Sequence, residues 1–210
     1  LLTSEGEQHL RHRRLMAPLF HQRAIATYGD QMVAATQRMQ RAWGDGDRFD
    51  LHEQMMQLTL SIVARTVFDV DIDEDAPAFG HALSDVIAIL SRRTAMPWGG
   101  ALYRMPLPSS RRFVRSQTLM NATIDEMFAQ RRRRGLGGGD LLSRLMSAGD
   151  GADGLSEQDV RDETMTILLA GHETTAVWLT WTLMALAQHP HWAEAVRDEV
   201  RRVADDRPVI

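Results

Sequence analysis

The chain contains no cysteine. That excludes disulfides, cysteine nucleophiles and thiolate metal ligands from within these residues. It suits a reducing compartment. Lysine is absent too, so all 24 residues of the Lys and Arg set are arginine; a GC-rich source accounts for this more readily than a function does. Aromatic residues make up only 6 % of the chain. No apolar run approaches the roughly 18 residues needed to span a bilayer. The opening stretch LLTSEGEQHLRHRR does not have the profile of a signal peptide. We therefore expect no membrane segment and a cytoplasmic location. With a net charge of −4 there is no global basic field to suggest nucleic acid.

What is present is ordinary for a soluble globular protein: 210 residues, 44 % hydrophobic and 25 % charged. That length suffices for one domain or part of a larger one. The sequence opens on Leu1 with no initiating Met, and we read residues 1–210 as a single partial domain of a longer protein.

The periodicity predicts an all-α chain. A very basic first helix is expected over 7–20. Residues 22–43 place Ile25, Tyr28, Met32, Ala35 and Met39 at helical spacing, and 51–68 do the same with Met55, Leu58, Ile62 and Val63. GDGDRFD breaks the pattern between them, and DVDIDEDAP reads as an acidic turn region. Further helices are expected at 78–93 and 111–134. The latter ends in RRRR, which suits the negative end of a helix dipole. The stretch 95–110 holds three Pro and two Gly, so it is no regular element, and it is apolar for a loop. LLSRLMSAG predicts a short helix. A long helix follows from 156 to 188, capped by Ser156 with Asp159 three residues on. A last helix starts near Pro190 and runs to about 204.

The long helix carries TILLAGHETTAVWL at its centre. Gly171 there costs roughly 1 kcal/mol against alanine, and each threonine a few tenths. With Ala170 set at zero, Thr174 lies at about 40°, Ile167 at about 60° and Gly171 at about 100° around the axis. Val177, Trp178 and Trp181 share that stripe and Glu173 lies beside it. His172 is turned away, at about 200°. The small residues make space for a flat ligand to approach the backbone. Thr174 can return its hydroxyl to the carbonyl of Ala170, weakening the local ladder, and Glu173 stands where it can carry protons beside an apolar pocket. The plainer alternative is close helix packing at a small-residue contact, with Glu173 in solvent. A zinc-protease reading of HETTA fails, because Ala176 stands where the second His is required.

AGHETT, on an unusually long helix and followed by LAQHP, resembles the oxygen-groove motif of the haem-thiolate monooxygenases, the cytochrome P-450 family. GEQHLRHRRLMAPLF, about 160 residues upstream, resembles that family's haem-propionate helix, with His9, Arg13, Pro18 and Phe20 at the matching positions. His9 and Arg13 are four apart and project from one face; two such donors suit carboxylates. His12 and Arg14 are expected to point elsewhere and to need only solvent. LTLSIVARTVFDVD and PLPSSRRF also resemble segments of bacterial members. Two of the family's signatures are missing: the Phe-x-x-Gly-x-x-x-Cys loop that ligates iron, and the Glu-x-x-Arg pair. Glu199 and Arg202 have that spacing by accident, in a surface-like helix.

The resemblance implies a mostly helical fold and haem b as cofactor. It implies O2 and an apolar small molecule as substrates, with NAD(P)H electrons arriving through a ferredoxin or flavoprotein reductase. It assigns Thr174 and Glu173 to catalysis, Ala170 and Gly171 to the oxygen groove, and His9 and Arg13 to the propionates. No metal ligand is assigned, since the Cys is lacking, and the chain alone is expected to be inactive. The helix at 78–93 and the loop at 95–110 would bound the substrate entrance. Two readings without haem stay open: an all-α small-ligand-binding regulator, and a helical interaction module in which Gly171 serves packing alone.

Overall fold

The computed structural model describes residues 4–95, 108–137, 139–147 and 155–204. Among them are eight α-helices and one 3₁₀ turn, with no strand. α1 (Gly6–Met16) passes into the 3₁₀ turn Ala17–Phe20. The α-helical part ends before the expected residue 20, because Pro18 has no amide hydrogen to continue the ladder. α2 (Gln22–Arg41), α3 (Leu51–Val67), α4 (Ala76–Thr94) and α5 (Pro108–Arg134) follow. The short α6 (Leu141–Ser147), the long α7 (Glu157–Gln188) and α8 (Pro190–Ala204) complete the chain. Most of the apolar loop expected at 95–110 lies outside the described residues.

Local chemistry sets the ends of these helices. Asp50 caps α3, its carboxylate accepting from the amides of His52 at 2.8 Å and Glu53 at 3.2 Å. At α7 the expected capping box forms in both directions: the Ser156 hydroxyl accepts from the Asp159 amide, and the Asp159 carboxylate accepts from the Ser156 amide, each at 3.0 Å. The helix then runs 32 residues without interruption, roughly 48 Å.

α3 lies along α7, and α4 along α5. The core fills the space between with Leu60 and Ala64 of α3, Phe68 after it, Phe79 and Leu83 of α4, Ile124 and Met127 of α5, and three leucines of α6. α7 buries Val160, Glu163, Thr164, Leu168, His172 and Ala176, a stripe that winds slowly around the rod as it meets the core. The opposite stripe, through Val177, Trp178 and Trp181, is exposed. α8 buries no residue.

Each of the four arginines at the end of α5 has a partner within the chain. Arg131 is buried between Asp69 at 2.8 Å and Asp140 at 3.3 Å. Arg132 reaches Glu157, Arg133 reaches Glu126, and Arg134 donates to the Asp69 carbonyl. Asp69 adopts a left-handed backbone (φ 51°) to present both groups, a conformation that aspartate tolerates better than most residues.

Candidate functional site

A cavity of about 920 Å³ opens between α4, α5 and α7. Leu83, Val86, Ile87 and Leu90 form its α4 wall, Phe113 and Met120 stand on α5, and Met165, Leu169 and Ala170 line the α7 side. Glu173 and Thr174 belong to the same lining. At the other end of the α7 wall the polar groups are engaged with one another: Arg161 pairs with Asp125, and the Gln158 amide donates to Asp162 at 2.8 Å. The expected entrance helix at 78–93 does face this cavity.

The Thr174 hydroxyl donates to the carbonyl of Ala170 at 2.8 Å, as its spacing predicts. Thr175 does the same to Gly171 at 2.9 Å. Neither bond breaks the helix. Ala170 is exposed toward the cavity, so the small side chain there does leave room.

Gly171 corrects the sequence reading. Its open side faces α3, away from the cavity, and a Cβ placed on it would stand 2.9 Å from Cγ2 of Val63. The missing side chain lets two helices close on each other. The plainer alternative holds for this residue, while Ala170 and Thr174 keep the cavity side.

His12 is a second correction. It is 2 % exposed, and its Nδ1 lies 2.7 Å from Oε1 of Glu163, itself 2 % exposed. The periodicity explains why: His12 and Met16 are the two buried residues of α1, one turn apart, so that face of the basic helix packs inward. Arg14 is exposed, as expected. His9 is half-buried and Arg13 exposed, and neither lines the cavity. Among the described residues, no side-chain partner is seen for either.

His172 is fully buried. Its Nδ1–H donates to the Leu168 carbonyl, and its ring packs edge-on against Phe79 at 6.2 Å between centroids. Burial pushes its imidazole below the usual histidine range, against the opposing effect of the Leu168 hydrogen bond. Its carbonyl accepts from the hydroxyl of Thr59 at 3.0 Å, a further tie from α7 to α3. It is a core histidine. Glu199 and Arg202 form an exposed contact at 4.0 Å, in keeping with the accidental spacing read above.

A smaller cavity near Asp50, Glu53 and His81 holds no metal-ligating set, and among the described residues no group of three or more His, Cys, Asp or Glu could hold a metal ion. Among the described residues no helix is long and apolar enough to cross a membrane.

An all-helical bundle threaded by one long rod, with a small-residue and Glu-Thr segment on a cavity, defines a class that comparison resolves. The family model for Cytochrome P450 matches residues 1–210, and the chain belongs to that family. It is 34 % identical over 210 residues to cyclooctat-9-en-7-ol 5-monooxygenase of Streptomyces melanosporofaciens, covering 99 % of this chain and 46 % of that protein. Against pentalenene oxygenase of Streptomyces avermitilis it is 29 % identical, with the same coverage of 99 % and 46 %. The crystal structure of the cytochrome P450DA haem domain superposes with a TM-score of 0.68 at 31 % identity, over 90 % of this chain and 42 % of that one. The chain thus spans less than half the length of these proteins.

Proposed function

We propose that these residues are part of a haem-dependent monooxygenase that inserts one oxygen atom of O2 into an apolar organic substrate. The observation that carries this is the placement of Ala170, Glu173 and Thr174 together on the wall of a mostly apolar cavity. Residues 1–210 would then be part of one domain.

Haem b with a thiolate on its iron supplies the oxygen activation when bound, using NAD(P)H electrons delivered through a ferredoxin or flavoprotein reductase. His9 and Arg13 are the residues that would hold that cofactor's carboxylates, from α1 and outside the cavity lining. His9 and Arg13 offer donors on one helix face with no competing partner among the described residues, which suits a pair of carboxylates. Ala170 presents only a methyl group to the cavity. The Thr174 hydroxyl spends its proton on the Ala170 carbonyl and keeps its lone pairs free to accept from water or another donor. Glu173, next to it on the same wall, can take and release a proton at its carboxylate. The apolar α4 wall holds a hydrocarbon skeleton and excludes water from it. With no cysteine, the 210-residue chain supplies no thiolate; by itself it would not turn over.

The test is the reduced carbon-monoxide spectrum of a protein of the relatives' length that contains this segment. A Soret band at the thiolate-ligated position is the expected result. A folded protein that takes up no haem would overturn the proposal, in favour of a helical ligand-binding protein.

A further inference from the structure

The contact between His12 and Glu163 joins residues 151 positions apart, and both side chains are 3 % exposed. A buried imidazole–carboxylate pair is a poor device for stability alone. Desolvating the two groups costs about as much as the contact returns, and apolar residues of similar volume often serve as well or better. What such a pair supplies is geometry, since a hydrogen bond fixes direction and register where apolar contacts slide.

The place of the pair gives that geometry a use. On α1 only His12 and Met16 are buried; the helix packs against α6, and the His12–Glu163 contact adds a directional tie to α7 that fixes its roll. His9 precedes His12 by three residues and Arg13 follows it by one. A roll of α1 by about 30° would carry their heads about 3 Å around a helix of about 5–6 Å outer radius. On α7, Glu163 lies 11 residues before Thr174, about 16 Å along a continuous helix. The His12–Glu163 contact therefore ties the helix bearing the two proposed carboxylate-binding donors to the rod bearing the oxygen-side groups. Among the described residues no partner is seen for the buried Nε2 of His12, and the ring is held through Nδ1.

We propose that His12 and Glu163 are positioning residues. They set the seating of α1 on α7, and with it where His9 and Arg13 hold the cofactor's carboxylates relative to Thr174. This rests on the haem reading above. Neither residue touches substrate or cofactor; both act through His9 and Arg13.

The experiment compares His12→Leu, Glu163→Leu, Glu163→Gln and the double variant His12→Leu/Glu163→Leu in the full-length haem-loaded protein. Three quantities are read: the thermal midpoint, the propionate bending bands in resonance Raman spectra, and the rate of haem loss to apomyoglobin. The single Leu variants should lose stability, since each leaves a buried polar group behind, and the double variant should recover it. The propionate bands should stay displaced in the double variant, with haem loss about 10-fold faster, the size of effect seen for partners that orient ligands from behind. Glu163→Gln, which keeps a hydrogen-bond acceptor, should return the bands toward the parent. If the double variant restores bands and haem retention along with stability, or if no variant moves the bands, the positioning role is overturned. If the single variants do not fold, the double variant and Glu163→Gln decide it by the same readouts. A parent that binds no haem fails at the spectrum above, before any variant is made, and takes this proposal with it.

Discussion

Gly171 of α7 and Val63 of α3 meet where the two helices close, and a side chain on the glycine would run into the valine: its Cβ would lie 2.9 Å from Val63 Cγ2. Valine is stiff at χ1 in a helix, so the methyl cannot swing aside cheaply. Gly171→Ala gains up to about 1 kcal/mol of helix propensity and sets it against an overpacking cost of about 1–3 kcal/mol. We expect a net loss of about 1 kcal/mol from these two terms. Adding Val63→Ala should relieve the clash, so that the double variant is more stable than the two single losses summed. Urea unfolding of the four proteins in the cycle measures this.

Thr174 lines the cavity and holds its hydroxyl on the Ala170 carbonyl. In the full-length protein, Thr174→Ala should leave NAD(P)H consumption running while less hydroxylated product and more peroxide appear. Thr175→Ala, whose hydroxyl bonds Gly171 in the same way but does not line the cavity, should leave coupling alone. Product and peroxide are counted against NAD(P)H consumed; unchanged coupling in Thr174→Ala would remove that residue from the proposed role.

His172 is buried and its imidazole is held below the usual range by desolvation. In the folded state the neutral ring is favoured, and the unfolded chain binds the proton more readily. Its contribution is therefore complete above the unfolded histidine value of about 6.5 and is lost as pH falls below it toward the folded value. Unfolding midpoints should drop between neutral and mildly acidic pH. His172→Phe, similar in shape and without the titrating ring, should flatten that part of the profile; an equal slope in the variant would place the pH dependence elsewhere.

Arg131 is buried between Asp69 and Asp140, and Arg133 reaches Glu126 at the surface. Arg131→Met removes the cation from Asp140, which is itself 6 % exposed, and should cost about 3–5 kcal/mol. Arg133→Ala, two residues away, should cost at most about 1 kcal/mol. Denaturation of the two variants side by side separates them, although the sequence prints both as members of one run of four arginines.

The helices were legible because their evidence is local. The capping box at Ser156, the unbroken period from 157 to 188 and the Pro190 start each depend on neighbours within a turn, and all three are present. The Thr174 back-bond is local as well, spanning four residues. The all-α class and the family rested on the same short-range patterns.

Which way a residue faces was a different matter. An angle around the axis sorts residues into stripes but does not say which neighbour each stripe meets. So Ala170 and Gly171, adjacent in sequence, were both assigned to a groove, and the fold gave the cavity to one and Val63 to the other. His12 looks in sequence like one more polar residue of a basic helix, and nothing in the sequence singles out Glu163. A signal was present in each case: His12 shares a face with Met16, and Glu163 lies beside the stripe through Val160, Thr164 and Leu168. It could not be read without knowing that His12 of α1 meets Glu163 of α7.

Composition, period and caps by themselves determined the eight helices seen among the described residues, most of their ends to within a few residues, and the segment that carries the Glu-Thr pair, because hydrogen bonds within a helix need no distant partner. Only the tertiary structure decided which face of each helix is core, which is cavity and which charges are buried. Those outcomes depend on desolvation, and desolvation is set by whatever packs across from a residue, however far away it lies in the chain.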